Sequence, residues 1–257
     1  VFNRKKPLTG GLLNDGRITK VGATVVRRQD HAWPRAVSEA LTVLRSRGFR
    51  GCPHELCRVD RCTVVLSFIP GRSLRELAPR WASTTRTLTR VTGFMKAFSL
   101  AGTNMRAALT NSDWLTEPVH DEDVFFHGDP HPTNIVFDSF RRPKAIIDFE
   151  LATLGSHDLN LLSLIFNWAP LEPQHMSWWW NIHALSVRER VRTMLDCWQP
   201  TSDSRELVEL GMDFISWRQE WIENLGRLGN PGAQQLITDP SFPHRLAHAR
   251  ILLKQLL

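Results

Sequence analysis

Two aspartates and an asparagine stand in an order that could hold a metal-bound phosphate chain. Asp129 precedes Asn134 by five positions in the polar loop from His127 to Asn134, and Asp148 follows in Ile146-Ile147-Asp148-Phe149-Glu150. Transfer of a phosphoryl group needs a base or orienter beside the attacking hydroxyl, hard oxygen ligands for Mg²⁺ and rigid supports, because positioning and charge neutralisation carry most of the catalysis. These three side chains supply such parts. A single Asp or Asn between short strands is ordinarily a turn residue, so the weight rests on the ordered set His127, Gly128, Asp129, Pro132, Asn134 and Asp148.

Three short apolar runs must position that set. Val124 to Phe126 and Ile135 to Phe137 flank the loop, and Ala145 to Ile147 delivers Asp148; each reads as a buried strand. His-Gly-Asp-x-x-x-x-Asn followed by Ile-Asp-Phe-Glu resembles the aminoglycoside phosphotransferase and choline kinase group, strongly from Val124 to Leu171 and weakly at both ends. The resemblance implies an α+β, protein-kinase-like fold of two lobes, ATP and Mg²⁺ as cofactors, and a small hydroxylated molecule as acceptor. It makes Asp129 the catalytic-loop base and Asn134 and Asp148 the metal ligands. Glu150 stands where a protein kinase has glycine. His127 reads as a buried hydrogen-bonding support, and His131 as loop surface.

The N-terminal third reads as a small strand-rich lobe. Leu8-Thr9-Gly10-Gly11 and Asn14-Asp15-Gly16 form a turn whose amides could approach phosphates, and Ile18–Val21 and Thr24–Arg27 read as strands paired around Gly22. Members of the resembling group carry a comparable Gly-Gly and Asn-x-Gly, so Gly10, Gly11 and Asn14 are expected near the nucleotide. By the same resemblance Arg27 occupies the place of the phosphate-anchoring lysine. Alternation puts Val25 and Arg27 on one face, with Arg28 as the other candidate. Ala36 to Arg47 is an amphipathic helix with Val37, Ala40, Leu41 and Leu44 on one stripe, closed by Gly48. Glu39, the residue that could pair with the phosphate cation, points away from that stripe and reads as solvated. Thr63 to Ile69 is a buried strand ending at Pro70-Gly71. The resemblance makes it a hinge that reads adenine, with Ser67 and Ile69 as contacts, and divides the chain into lobes 1–70 and 71–257.

The rest is helical. A core helix is expected from Leu88 to Ala101 with the stretch around Met105, and Asp158 is expected to anchor the catalytic loop. A long helix is capped near Ser202 or Asp203, carries Leu207, Leu210, Phe214, Trp217, Trp221 and Leu225, and is stopped by Gly226 and Gly229. A last helix spans Pro243 to Leu257.

Composition excludes several classes. The 257 residues, 42% hydrophobic, suit a folded globule, and no window reaches the ~18 apolar residues of a membrane span. With no apolar segment behind Val1-Phe2-Asn3, a cytoplasmic location is expected, although a chain starting at valine leaves the true N-terminus open. Cys52, Cys57 and Cys62 lack the Cys-x-x-Cys knuckle, and a zinc site is not expected. The net charge of +6 is scattered, without a nucleic-acid motif; it suits nucleotide phosphates.

A protein kinase is disfavoured by the missing Ala-Pro-Glu segment, and a nucleotide-binding pseudoenzyme is the alternative from another class. Two features bear on the acceptor. Glu206, Glu209, Asp213, Glu220 and Glu223 could meet a cationic aminoglycoside, and Trp178, Trp179, Trp180, Trp217 and Trp221 could cage a quaternary amine, but core tryptophans and solvated carboxylates give the same pattern.

Overall fold

The computed structural model describes residues 5–8, 17–29, 31–74, 80–120, 122–169, 171 and 186–257. The fold begins with a five-stranded antiparallel sheet in the order β1-β2-β3-β5-β4. Its strands are β1 (Lys5–Leu8), β2 (Ile18–Val21), β3 (Thr24–Arg28), β4 (Glu55–Arg58) and β5 (Thr63–Ser67). β2 and β3 pair around Gly22, whose φ of 62° is left-handed, as the β-rich alternation requires. Two edge strands, β1 and β4, escaped the sequence reading. Pro7 inside β1 is tolerated because an edge strand can spare a backbone donor, and β4 is broken by a register shift between Glu55 and Cys57.

Helix α1 (Arg35–Ser46) buries Ala36, Val37, Ala40, Leu41 and Leu44 and ends before Gly48 at φ 89°. Its N-cap is Pro34, which has no capping side chain. Asp113 supplies the cap from a distant loop, accepting from the Arg35 and Ala36 amides at 2.9 and 2.8 Å. Glu39, expected in solvent, accepts from the amide and hydroxyl of Thr110 at 2.8 and 2.6 Å and from the Asn111 amide at 3.2 Å. Two carboxylates therefore clamp α1 to residues 110–113. Helical spacing could not disclose this, because the partners lie more than 70 positions away.

Past Gly71 the chain enters two smaller sheets. β6 (Arg72–Ser73), β8 (Ile135–Phe137) and β9 (Pro143–Ile146) form one, and β7 (Val124–Phe126) pairs with β10 (Thr153–Gly155) in the other. Around them pack α2 (Thr85–Ala101), α3 (His157–Trp168), α4 (Val187–Trp198), α5 (Ser204–Arg227), α6 (Pro231–Thr238) and α7 (Phe242–Leu256). α3 is apolar nearly all round, with Leu159, Leu161, Leu162, Leu164 and Ile165 essentially unexposed, and such a helix belongs at the centre of a core. Met105 is also fully buried, but in the turn after α2 rather than in the helix. α5 starts from the Asp203–Glu206 capping box and runs through Gly226 to Arg227; Gly229, at φ 87°, lies just beyond its end. Gly226 stays helical because a side chain there would meet Ile237 at 2.6 Å, so its role is close packing.

Candidate active site

The polar loop after β7 is held from beneath. His127 is fully buried; its Nδ1 accepts from the Asp129 amide at 3.2 Å and its Nε2 donates to the Ile147 carbonyl at 3.1 Å. Burial pushes its pKa down to about 4, because a charged imidazolium there would lose its hydration. A neutral ring thus ties the loop to the strand that carries Asp148, the supporting part expected of it. Gly128 sits at φ 79°, and a Cβ there would lie 2.6 Å from the Leu151 carbonyl oxygen, so only glycine allows the two segments to meet. The Phe149 ring packs on Phe125 in parallel at 5.9 Å and on His127 at 4.7 Å. Each such ring pair adds about 0.5–1.5 kcal/mol, which keeps the segment around Asp148 in register with the loop.

Asn160 of α3 completes this support. Its amide nitrogen donates to the Phe125 carbonyl and the Ser99 hydroxyl at 3.0 and 3.1 Å, while its oxygen accepts from the His127 amide at 3.4 Å. Asp158, the residue expected to anchor the loop, points elsewhere: it accepts from the Thr201 hydroxyl and the Ser202 amide at 2.8 and 2.9 Å, tying α3 to the α4–α5 connection. The two residues lie on different sides of one helix, and only packing decides which side meets the loop. A lone Asn within the run Leu159-Asn160-Leu161-Leu162 was the available signal.

The loop and its neighbour bring the three expected side chains together. Asn134 donates through Nδ2 to the Asp129 carbonyl at 3.0 Å and to its carboxylate at 3.1 Å. The Ile147 amide donates to the Asn134 carbonyl at 2.9 Å, which sets Asp148 beside Asn134. Asp148 adopts φ 71°, ψ 67°, a left-handed conformation that costs a non-glycine residue about 1–3 kcal/mol and persists only where its surroundings enforce it. His131 is half-buried rather than surface; its ring accepts from the Thr133 amide and caps the short turn leading to Asn134.

From the five-stranded sheet, Arg27 reaches into the same place. It is 4% exposed, with Nη1 donating to Asp148 at 2.6 Å and Nη2 to Glu150 at 2.9 Å, while Arg28 is exposed. Alternation therefore aims Arg27 inward. Burial opposes its charge, but the two carboxylates outweigh burial and hold the guanidinium above its ordinary pKa. Burial, together with the nearby Glu150 and Asp129, pushes the Asp148 carboxyl upward against the pull of Arg27. Glu150, unassigned from sequence, also receives His31 Nε2 at 3.3 Å. Burial disfavours a charge on His31, yet its bonds to Glu150 and to the Ala32 carbonyl raise its pKa.

Another cation faces Asp129 from the opposite side. Arg218 of α5 places Nη1 3.4 Å from Asp129 Oδ1, and its guanidinium lies 5.3 Å from the centre of the Phe166 ring. The sequence reading missed it. Four residues after Phe214 and three before Trp221, it is a cation on the inward stripe of an amphipathic helix, which was the available signal.

The donor chemistry fits Mg²⁺. Mg²⁺ takes one or two protein oxygens and the rest from phosphates and water. The Asn134 amide spends its nitrogen on Asp129, and among the described residues its oxygen meets only the Thr133 hydroxyl, at 3.5 Å. That oxygen and the Asp148 carboxylate are the hard ligands at hand. A divalent cation there would offset the carboxylates crowded around Asp148.

The other expected nucleotide contacts are less defined. Gly10, Gly11 and Asn14 lie outside the described residues. The Ser67 amide donates to the His54 carbonyl at 2.8 Å and its hydroxyl accepts from the His54 amide at 2.9 Å. Ile69 is half-buried in the link between the sheets. On α5, Glu206 closes the capping box, Glu209 pairs with Arg205, Asp213 with His120 and Glu223 with Gln219, and Glu220 is exposed. None of these pairings leads to Asp129. Trp217 donates to the Glu117 carbonyl at 2.9 Å and packs on Phe126 and Phe214, and Trp221 is 8% exposed in the core; Trp178, Trp179 and Trp180 lie outside the described residues.

Residues 99–176, from the last turn of α2 past α3, match the sequence model of the phosphotransferase enzyme family, APH. Over that segment the chain is similar to phosphotransferase-family sequences, and it has an α+β fold, an antiparallel sheet followed by a mainly helical part, like the solved kinase structures it superposes on. A choline/ethanolamine kinase family protein from Mesorhizobium loti superposes with a TM-score of 0.53 at 15% identity, covering 96% of this chain and 92% of that one. Choline kinase from Cryptosporidium parvum gives 0.58 at 12% identity, covering 99% and 91%. The aminoglycoside phosphotransferase APH(3'')-Id from Streptomyces rimosus, in complex with ADP and streptomycin, gives 0.54 at 13% identity, covering 84% and 93%. At such identities the likeness is one of fold. No curated protein sequence matches the chain. Among the described residues, no helix is long and apolar enough to cross a membrane.

Proposed function

We propose that this protein is an ATP-dependent, Mg²⁺-requiring kinase of a small-molecule hydroxyl. The observation that carries the reading is the convergence of Asp129, Asn134 and Asp148 on one side and Arg27 on the other, from strands of three different sheets. Asp129 orients the acceptor hydroxyl and takes its proton as its oxygen bonds to the γ-phosphorus of ATP and the bond from that phosphorus to the departing ADP breaks. Asn134 and Asp148 would hold Mg²⁺, which when bound would neutralise phosphate charge. Arg27 binds the phosphates: its Nε is buried without a partner among the described residues, a donor ready for a phosphate oxygen. Residues 1–70 form the nucleotide lobe, with Gly10, Gly11 and Asn14 at the phosphates and Ser67 and Ile69 beside adenine, and residues 71–257 form the catalytic and acceptor lobe.

The test is ADP release from ATP with panels of hydroxylated acceptors, with and without Mg²⁺, for the wild type and Asp129→Asn. Metal-dependent turnover that Asp129→Asn abolishes supports the reading. Tight nucleotide binding without turnover on any acceptor would favour the second reading, a nucleotide-binding pseudoenzyme with a regulatory role. One observation supports that alternative: Arg27 already occupies an oxygen of Asp148.

A further inference from the structure

The acceptor side of the site carries a cation where a pocket for a cationic acceptor would carry carboxylates. Arg218 is partly buried, its side chain 19% exposed, and Asp129 beside it is 26% exposed. The guanidinium meets one carboxylate oxygen at 3.4 Å, a long contact, and packs on Phe166. Its Nε and Nη2 make no hydrogen bond among the described residues. Arg27 contrasts with it, gripping two carboxylates at 2.6 and 2.9 Å.

A guanidinium so placed has two donors in a fork, rigid against an aromatic ring, next to the residue that orients the acceptor hydroxyl. Such a fork suits a carboxylate or a phosphate. The α5 carboxylates that a polycation would need are engaged along the helix or exposed, as described above, and the α5 tryptophans belong to the core.

We propose that Arg218 is a specificity-determining residue and that the acceptor is a hydroxylated small anion, whose carboxylate or phosphate group pairs with Arg218 while its hydroxyl meets Asp129. This inference rests on the kinase reading above and narrows its acceptor. The 3.4 Å separation of the two side chains places the anionic group within a few bonds of the reacting hydroxyl. Binding would draw Arg218 toward the anion and free an oxygen of Asp129 for the hydroxyl.

The experiment compares hydroxycarboxylates, sugar phosphates, choline and kanamycin as acceptors with Mg²⁺ and ATP, in the wild type, Arg218→Gln and Arg218→Lys. The expected result is turnover of one anionic set. Arg218→Gln should raise the KM for it about ten- to a hundredfold, with a much smaller change in kcat, and Arg218→Lys should recover part of that loss. Which anionic set responds tells carboxylate from phosphate. Turnover confined to choline or kanamycin would overturn the inference and leave the kinase reading standing. A loss in kcat at unchanged KM would also overturn it, by making Arg218 a positioning residue for Asp129. Calorimetry of the same anions on protein saturated with ADP and Mg²⁺ reads the site without turnover. Arg218-dependent anion binding in a protein inactive on every acceptor would sink the kinase reading and keep the anion site, whereas anion binding equal in wild type and Arg218→Gln would sink the inference. Matching thermal melts exclude misfolding as the cause.

Discussion

The two arginines that face Asp148 and Asp129 differ in how far their surroundings determine them. Arg27 is buried, bound to two carboxylates, and itself part of a sheet whose register pairs it with Val64. Arg218 is partly open to solvent and held by one long contact and a ring face. A buried charge with a partner removed is costly, so the Arg27 side is built to keep one arrangement. The Arg218 side can exchange its partner for a ligand at little cost. On the proposed reading, the nucleotide side is thus pre-organised, and the acceptor side is where the molecule can choose.

The largest expected effect lies between the two. Asp129→Asn should lower kcat by about 10²–10⁴, the usual contribution of a positioned base, while ATP affinity changes less than about twofold, since the group acts on the hydroxyl and not on ground-state nucleotide. Equilibrium nucleotide titration beside steady-state kinetics checks both. An equal loss of nucleotide affinity would mean that the two sides are not separable.

Arg27→Met strikes the determined side. It removes the guanidinium that the Asp148 and Glu150 carboxylates grip in the interior, which should cost about 3 kcal/mol of folding stability, read by denaturant unfolding. ATP should bind roughly ten- to a hundredfold more weakly through loss of a charge-assisted bond, with adenosine affinity unchanged. Arg28→Met, on the exposed face, should do neither. Equal effects from both variants would break the contrast drawn from burial.

Acid probes the support beneath both sides. His127 keeps a folded-state pKa near 4, whereas the unfolded chain binds that proton below about 6.5. Its contribution to stability is therefore present above pH ~6.5, declines as pH falls from there through 4, and amounts to roughly 3 kcal/mol across the window. A His127→Gln variant should show a flatter acid limb in unfolding experiments between those pH values; an unchanged slope would show that other groups carry it.

The smallest effect belongs to a region outside both. Glu39→Gln weakens the clamp between α1 and residues 110–111 and should cost about 1 kcal/mol, the usual net worth of a hydrogen bond, since Glu39 is partly exposed and its charge screened, with the ATP and acceptor constants unaltered. If ATP affinity fell tenfold, α1 would have to be counted with the Arg27 side.

The polar loop from His127 to Asn134 was legible in the chain because its pattern is local. Asp129 and Asn134 are five positions apart, the flanking apolar runs announce their strands, and Gly128 is demanded by a positive φ at the point of closest approach. Strand alternation put Arg27 and Arg28 on opposite faces, since side chains must alternate across a sheet, but left open which face looks inward; packing decided for Arg27. Partner choice was not legible. Arg27 finds Asp148 across 121 positions and Arg218 finds Asp129 across 89, and Glu39 and Asp158 spend their charges on backbone amides that no pattern in their own helices foretells. Periodicity tells which face of an element is buried. Which other element covers that face, and so which charge is neutralised there and which remains available to a ligand, was decided only when the sheets and helices packed.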